Sequence, residues 1–277
     1  MTQGFLLFAH DNEQISYSLM AAWQAKRITK WLNKPVSIVT DQQSVDNLIA
    51  LGLDPADVFD QVILSNENTT QKKRYQNKED SQTLTFKNVD RSMSWDLTPY
   101  EETIVIDTDI VIQSDRLNTL WNNNEDLLVC RNSTDVFERK FVGFDYLSNY
   151  GIHFCWATIF YFKKNETTQI FFNTCKRIKE MYNWFSFVYD LGGGYIRNDH
   201  VWSIALHELG GAEANKWALD IPIHLPYTLD RDTLVNMTDD YITVLGDNSL
   251  RQLKNIDTHV MNKYTLIEHI KKELANV

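Results

Sequence analysis

Covalent and conformational staples are scarce in this chain. Its 277 residues hold only 3 cysteines (Cys130, Cys155 and Cys175) and no C-x-x-C pair. That excludes a disulfide framework and suits a reducing compartment. With 10 glycines and 5 prolines there is no low-complexity linker. Positive charge is also short, since 27 Lys and Arg face 37 Asp and Glu, a net charge of −10. Duplex nucleic acid is bound through a basic face that releases counterions, so no direct duplex binding is expected. No apolar run approaches the ~20 residues of a membrane helix. The opening MTQGFLLFAHDN has no basic segment ahead of its apolar run and meets Asp11 early, so no secretory signal is expected and a cytoplasmic location is.

What is present is core-forming material, 43% hydrophobic and 12% aromatic. A chain of this size buries roughly three quarters of its unfolded surface. GFLLFAH is a continuous apolar run that reads as a strand covered on both faces. In ISYSLMAAWQAKRITKWL, Ile15, Leu19, Ala22, Trp23 and Ile28 recur at helical spacing, and after Pro35 the run PVSIVTD is a second strand. Strand, helix and strand in that order form a right-handed βαβ unit with parallel strands. SVDNLIALGL continues as helix and FDQVILS as strand. A polar stretch of roughly residues 66–82 then reads as a long loop, FKNVDRSMSWDL as helix and ETIVI as a fourth buried strand. DLLVCR and HFCWATIFYF are further strands, TTQIFFNTCKRIKEMYNWFSFVYDL one long helix, DHVWSIALHEL another, and KYTLIEHIKKELANV a closing helix. The expectation is a single α/β domain over 1–277: a mostly parallel, Rossmann-like central sheet flanked by helices, with an irregular C-terminal third.

Ligands of open parallel sheets bind beyond the carboxyl ends of the strands. Strand one ends at Ala9-His10-Asp11, strand two at Thr40-Asp41, and strand four at Asp107-Thr108-Asp109 within ETIVIDTDIVI. Carboxylates at i and i+2 of an extended segment share one side, about 7 Å apart. Together they suit one hard divalent cation whose other positions go to phosphate oxygens. Two charges interrupting an apolar strand are costly without a compensating cation. A second D-x-D, Asp230-Arg231-Asp232, lies in the polar loop LPYTLDRDTL and lacks that context. Lys87 and Arg91 fall one turn apart on the expected helix, where they could serve a diphosphate. His200 and His207 share a helix face, but no H-E-x-x-H spacing or cysteine cluster accompanies them, so zinc is not expected. Gly192-Gly193-Gly194 follows no strand and lacks G-K-[ST]; it reads as a hinge, not a phosphate loop. Tyr182 to Trp184 reads as core.

TIVIDTDIVI, downstream of Arg91, resembles the D-x-D core of the GT-A nucleotide-sugar glycosyltransferases. The nearest likeness is to the glycogenin-like family eight and to short phage-encoded relatives. Ala9-His10-Asp11 followed by Tyr17 resembles that family's first strand, which holds the uracil, and SIVTD, ending at Asp41, its second. DHVWSIAL resembles the D-Q-x-x-L-N segment beside the donor sugar, with Asp199-His200 in place of Asp-Gln. THVMNK resembles the late histidine that completes the metal site, His259, with Lys263 behind it for the diphosphate. The resemblance implies a metal-dependent hexosyltransferase that moves glucose or galactose from a UDP-sugar to an acceptor hydroxyl, with retention. In it Asp107, Asp109 and His259 ligate the metal. Ala9, His10, Asp11, Asp41, Lys87, Arg91, Asp107 and Lys263 bind the donor, and Asp199 and His200 are the catalytic candidates. Residues up to about 112 form the nucleotide-binding part and about 113–277 the acceptor side. Carboxylates, phosphate and one imidazole favour Mn²⁺, with Mg²⁺ as the alternative. A nucleotidyltransferase on a similar sheet, or a nucleotide- or carbohydrate-binding protein without turnover, are the competing readings.

Overall fold

A computed structural model of the chain describes residues 2–65, 71–76, 81–86, 91–140, 145–149, 151–192, 195–211 and 217–275. Among these, seven strands form the central sheet, in the order Leu219–Asp220, Leu127–Cys130, Trp156–Lys163, Glu102–Ile106, Gln3–Phe8, Val36–Thr40 and Gln61–Leu64. Gln3–Phe8 runs parallel to Val36–Thr40 and to Glu102–Ile106, and Val36–Thr40 parallel to Gln61–Leu64. Trp156–Lys163 is antiparallel to both of its neighbours. Every residue of Val36–Thr40 and of Glu102–Ile106 is buried, as expected of strands with helices on both faces. The expected mostly parallel α/β sheet is thus observed, with one reversed strand.

Helix Tyr17–Leu32 starts at Ser16, whose side chain accepts from the Leu19 N–H, and ends at Asn33 in the left-handed conformation (φ 51°). It also clamps the backbone that leaves strand Glu102–Ile106. Gln24, fully buried, donates through Nε2 to the carbonyls of Asp107 (2.7 Å) and Ile110 (3.1 Å). One turn on, Arg27 donates through Nε to the Ile112 carbonyl (2.8 Å) and pairs with Asp239 (3.4 Å) and Glu273 (3.8 Å).

A second, smaller sheet orders Ile110–Val111, Thr258–Val260, Leu225–Thr228 and Ser133–Asp135. The chain passes into it directly from the central sheet at residues 107–109. A three-stranded antiparallel sheet, Thr233–Met237, Tyr241–Gly246 and Ser249–Lys254, and helix Lys263–Ala275 complete the C-terminal third. No helix among the described residues is long and apolar enough to cross a membrane.

Three expectations need correction. The expected loop of roughly 66–82 contains strands Gln71–Gln76 and, beginning within it, Ser81–Phe86, paired antiparallel with each other. QKKRYQ is polar at nearly every position, so it carries no period-2 apolar signal. Of the expected helix FKNVDRSMSWDL, Phe86 belongs to strand Ser81–Phe86, residues 87–90 lie outside the described residues, and the rest forms a 3₁₀ turn Arg91–Met93 followed by the short helix Ser94–Leu97. The long amphipathic helix is two helices, Glu166–Glu180 and Tyr182–Val188, broken at Met181 (φ −105°, ψ 26°). The break turns Trp184 outward, 52% exposed, while Tyr182 stays buried.

Gly4 on the first strand lies flat against the ring of Tyr100, and a Cβ there would run into that ring. Tyr100 is itself pinned, its hydroxyl bonded to Ser37 Oγ (2.7 Å) and Asp60 Oδ2 (3.2 Å). Gly4→Ala is therefore expected to destabilise the fold by about 1–3 kcal/mol, the usual cost of overpacking. Urea denaturation measures this; a change under about 0.5 kcal/mol would show that Tyr100 yields freely.

Candidate metal and nucleotide site

Asp107-Thr108-Asp109 is a tight turn and not the extended segment expected from sequence, with the Ile110 N–H donating to the Asp107 carbonyl (3.2 Å). The Asp107 N–H still bonds the Thr158 carbonyl of the central sheet (2.8 Å), whereas the Asp109 carbonyl accepts from the Val260 N–H of the second sheet (2.9 Å). The motif is the hinge between two sheets. In the second sheet His259 pairs in register with Ile110, which brings a residue distant in the chain beside the turn. One ligand atom from each of Asp107, Asp109 and His259 lies within 4.8 Å of the others. The three residues expected to ligate a metal thus meet.

Both carboxylates already face cations. Lys263 Nζ donates to Asp109 Oδ2 at 2.5 Å, and His259 Nε2 lies 3.3 Å from the same oxygen. Asp109 is 2% exposed. Burial pushes its carboxyl up, but Lys263 and His259 outweigh that and hold it far below the usual carboxylate range. Asp107 pairs through Oδ1 with the buried Arg91 guanidinium and accepts from Thr158 Oγ1 on Oδ2 (2.7 Å). Arg91 also donates to the Ala157 carbonyl (2.5 Å), and burial draws it below its ordinary pKa against the pull of Asp199 and Asp109.

Asp199 stands on the far side of Ala157. Its Oδ1 accepts from the Ala157 N–H and its Oδ2 from Arg197, each at 3.0 Å. Burial raises the Asp199 carboxyl, but Arg197, the Ala157 N–H and His200 bring it below its ordinary value. His200 is held at Nδ1 by the Tyr182 hydroxyl (2.9 Å) and packs edge-on to Phe154. The Phe154 ring meets Trp156, which in turn meets His259, so one aromatic row links helix Asn198–Gly210 to the carboxylates.

The nucleotide-end candidates lie at the ends of adjacent strands. The Ala9 N–H donates to the Val39 carbonyl (3.0 Å), and its carbonyl accepts from Thr40 Oγ1 (2.5 Å). His10 is buried. Asp11, also buried, accepts from the Ser18 N–H (2.7 Å), Ser18 Oγ (2.9 Å), Ser16 Oγ (3.3 Å) and Asn47 Nδ2 (2.8 Å). It therefore braces the start of helix Tyr17–Leu32. Asp41 caps helix Gln42–Ala50 through the Ser44 N–H (2.9 Å). Lys87, Gly193 and Gly194 lie outside the described residues. In the second D-x-D, Asp232 is 1% exposed and is consumed by Arg139 (2.5 Å) and the Leu229 N–H (2.8 Å), a structural role.

Sequence reasoning missed Gln24 and Thr158. Gln24 falls on the buried stripe of Tyr17, Met20, Ala21 and Ile28, and a polar residue on such a stripe is the available signal. Thr158 is a hydroxyl within an otherwise apolar strand.

Two carboxylate donors and one imidazole, gathered at the end of a buried strand, fit a divalent cation of the Mn²⁺ or Mg²⁺ kind. No family model matches the chain, and no curated protein matches it. Among solved structures it is similar to the glycosyltransferase GlyE of Streptococcus pneumoniae TIGR4 (10% identity, TM-score 0.44, 80% of this chain and 46% of that one). It is also similar to galactosyltransferase LgtC with donor and acceptor sugar analogues (13%, 0.45, 73% and 70%). A third is a Bacillus anthracis protein proposed to be a glucose-1-phosphate thymidylyltransferase, solved with sucrose (9%, 0.45, 79% and 86%). The chain spans less than half of GlyE. At TM-scores below 0.5 these likenesses assign neither family nor activity.

Burial, with Arg197 nearby, lowers the His200 pKa to about 4 despite Asp199. The unfolded imidazole protonates near pH 6.5 and the folded one only near 4. The neutral side chain's contribution is thus whole above pH 6.5 and is lost as pH falls through that window. Between pH 7.5 and pH 5 the wild type is expected to lose about 2 kcal/mol more stability than His200→Gln. Denaturant titrations at both pH values measure the difference; equal losses would show that His200 titrates normally.

Proposed function

We propose that this protein is a metal-dependent glycosyltransferase of GT-A architecture that transfers a hexose from a UDP-sugar to an acceptor hydroxyl. The observation that carries the reading is the meeting of Asp107, Asp109 and His259 at the carboxyl end of the sheet, with Lys263 and Arg91 against the two carboxylates. Nucleotides bind at that end of open α/β sheets. The resemblance of TIVIDTDIVI and THVMNK to the family supplies the substrate class.

In this reading Asp107, Asp109 and His259 hold a divalent cation, Mn²⁺ before Mg²⁺ because of the imidazole. When bound, the cation stabilises negative charge developing on the departing diphosphate. Lys263, at the first position of its helix, reaches the same charge with a flexible ammonium. Arg91 is held by the Ala157 carbonyl and fixes Asp107. Ala9, His10, Asp11 and Asp41 shape the base and ribose end, where Asp11 works by bracing the helix start. Asp199 and His200, tied to Ala157 and Tyr182, form the sugar-facing wall. The reaction breaks the bond between the anomeric carbon and the phosphate oxygen, forms one from that carbon to the acceptor oxygen, and releases the hydroxyl proton. Residues to about 112 form the donor part and the remainder the acceptor side.

UDP release over a panel of UDP-sugars is expected to require Mn²⁺ or Mg²⁺ and to fall at least about 100-fold in Asp109→Ala. Near-normal turnover in that variant would overturn the site assignment. Release of pyrophosphate in place of UDP would instead make the chain a nucleotidyltransferase. Calorimetry with Mn²⁺ is expected to show UDP binding more tightly than GDP or ADP; preference for a purine would remove the uridine assignment.

A further inference from the structure

We infer that Lys263 is a resident counter-ion that keeps a bare divalent cation out of the Asp107–Asp109–His259 site, so that metal and diphosphate enter only together. This rests on the glycosyltransferase reading and adds to it an order and a mutual dependence of binding.

The inference comes from charge and place. The buried site holds two carboxylates, Asp107 and Asp109, and two side-chain cations, Arg91 and Lys263, so its fixed charge already balances. Lys263 Nζ, on a side chain 12% exposed, sits 2.5 Å from Asp109 Oδ2, the oxygen that His259 Nε2 also approaches at 3.3 Å. It therefore stands where a cation bridging Asp109 and His259 would bind. A divalent ion arriving alone either shares the site with the ammonium, leaving about two uncompensated positive charges in a poorly solvated place, or displaces it, leaving about one there and an ammonium without its carboxylate. Arriving with a diphosphate, the ion brings its own counter-charge, and the displaced ammonium gains a phosphate partner.

The two cations differ in the freedom of the side chain that carries the charge. Arg91 is buried and also held by the Ala157 carbonyl. Lys263 carries its charge on a four-carbon stem, while its backbone is fixed. Asn262, the residue before it, donates to the Asp232 carbonyl (2.7 Å) and accepts from the Thr265 N–H (3.2 Å), anchoring the helix start. A lysine at the first position of a helix opposes the helix dipole, a cost that the ion pair with Asp109 offsets.

The test is the binding of Mn²⁺ alone, followed by electron paramagnetic resonance, to wild type, Lys263→Met and Lys263→Arg, and then of UDP at saturating Mn²⁺ by calorimetry. Without nucleotide, Lys263→Met is expected to bind Mn²⁺ at least about tenfold more tightly than wild type, and Lys263→Arg to stay within about threefold of it. With Mn²⁺ present, UDP is expected to bind Lys263→Met about tenfold more weakly. Unchanged or weaker Mn²⁺ binding by Lys263→Met, in a wild type that binds UDP with Mn²⁺, would overturn the counter-ion role alone. A wild type that binds no UDP at saturating Mn²⁺ would overturn the glycosyltransferase reading and this inference with it. Thermal melting of both variants separates loss of fold from loss of site.

Discussion

Two carboxylates stand where a fully buried strand ends, and each demands a compensating charge. Removing an ion from water costs several kcal/mol even after relaxation, so the surrounding structure is organised around that demand. Arg91 is buried to meet Asp107, Lys263 is brought back from the C-terminal helix to meet Asp109, and Thr158 and His259 complete the partners. The second sheet follows from the same requirement. Strand Thr258–Val260 holds the turn through the Val260 N–H and delivers His259 in register with Ile110.

The two D-x-D segments show how context separates chemistry from architecture. Asp230-Arg231-Asp232 places its second carboxylate against Arg139, which also pairs with Asp135, and against the Leu229 N–H, where it secures a loop. Asp107-Thr108-Asp109 instead gathers its side chains with an imidazole at the carboxyl end of the sheet. The two are connected, since the carbonyl of Asp232 anchors Asn262, the residue that precedes Lys263.

Much of the parallel sheet was legible because GFLLF is an uninterrupted apolar run and VSIVT and ETIVI are short, mainly apolar and β-branched runs, as strands covered on both faces tend to be. Asp107 and Asp109 were legible because they break such a run. The meeting of His259 and Lys263 with them depends on strands of two and three residues, too short to carry a periodic signal. The same limit hid the turn at Thr108, which reads as extended when its neighbours are Ile106 and Ile110. Gln24 and Thr158 were illegible for a different reason. Each is a single polar residue on an apolar face, and only the folded backbone shows which carbonyl or carboxylate it serves.

The central claim is that Asp107, Asp109 and His259 form one cation site that is completed by a nucleoside diphosphate. Crystals grown with MnCl₂ and UDP, with diffraction collected near the manganese edge, test it most directly. The account predicts one anomalous peak at bonding distance from all three residues and from diphosphate oxygens, with Lys263 turned from Asp109 toward the phosphates. UDP bound with no metal peak, or a metal peak that leaves Asp109 paired with Lys263, would contradict it.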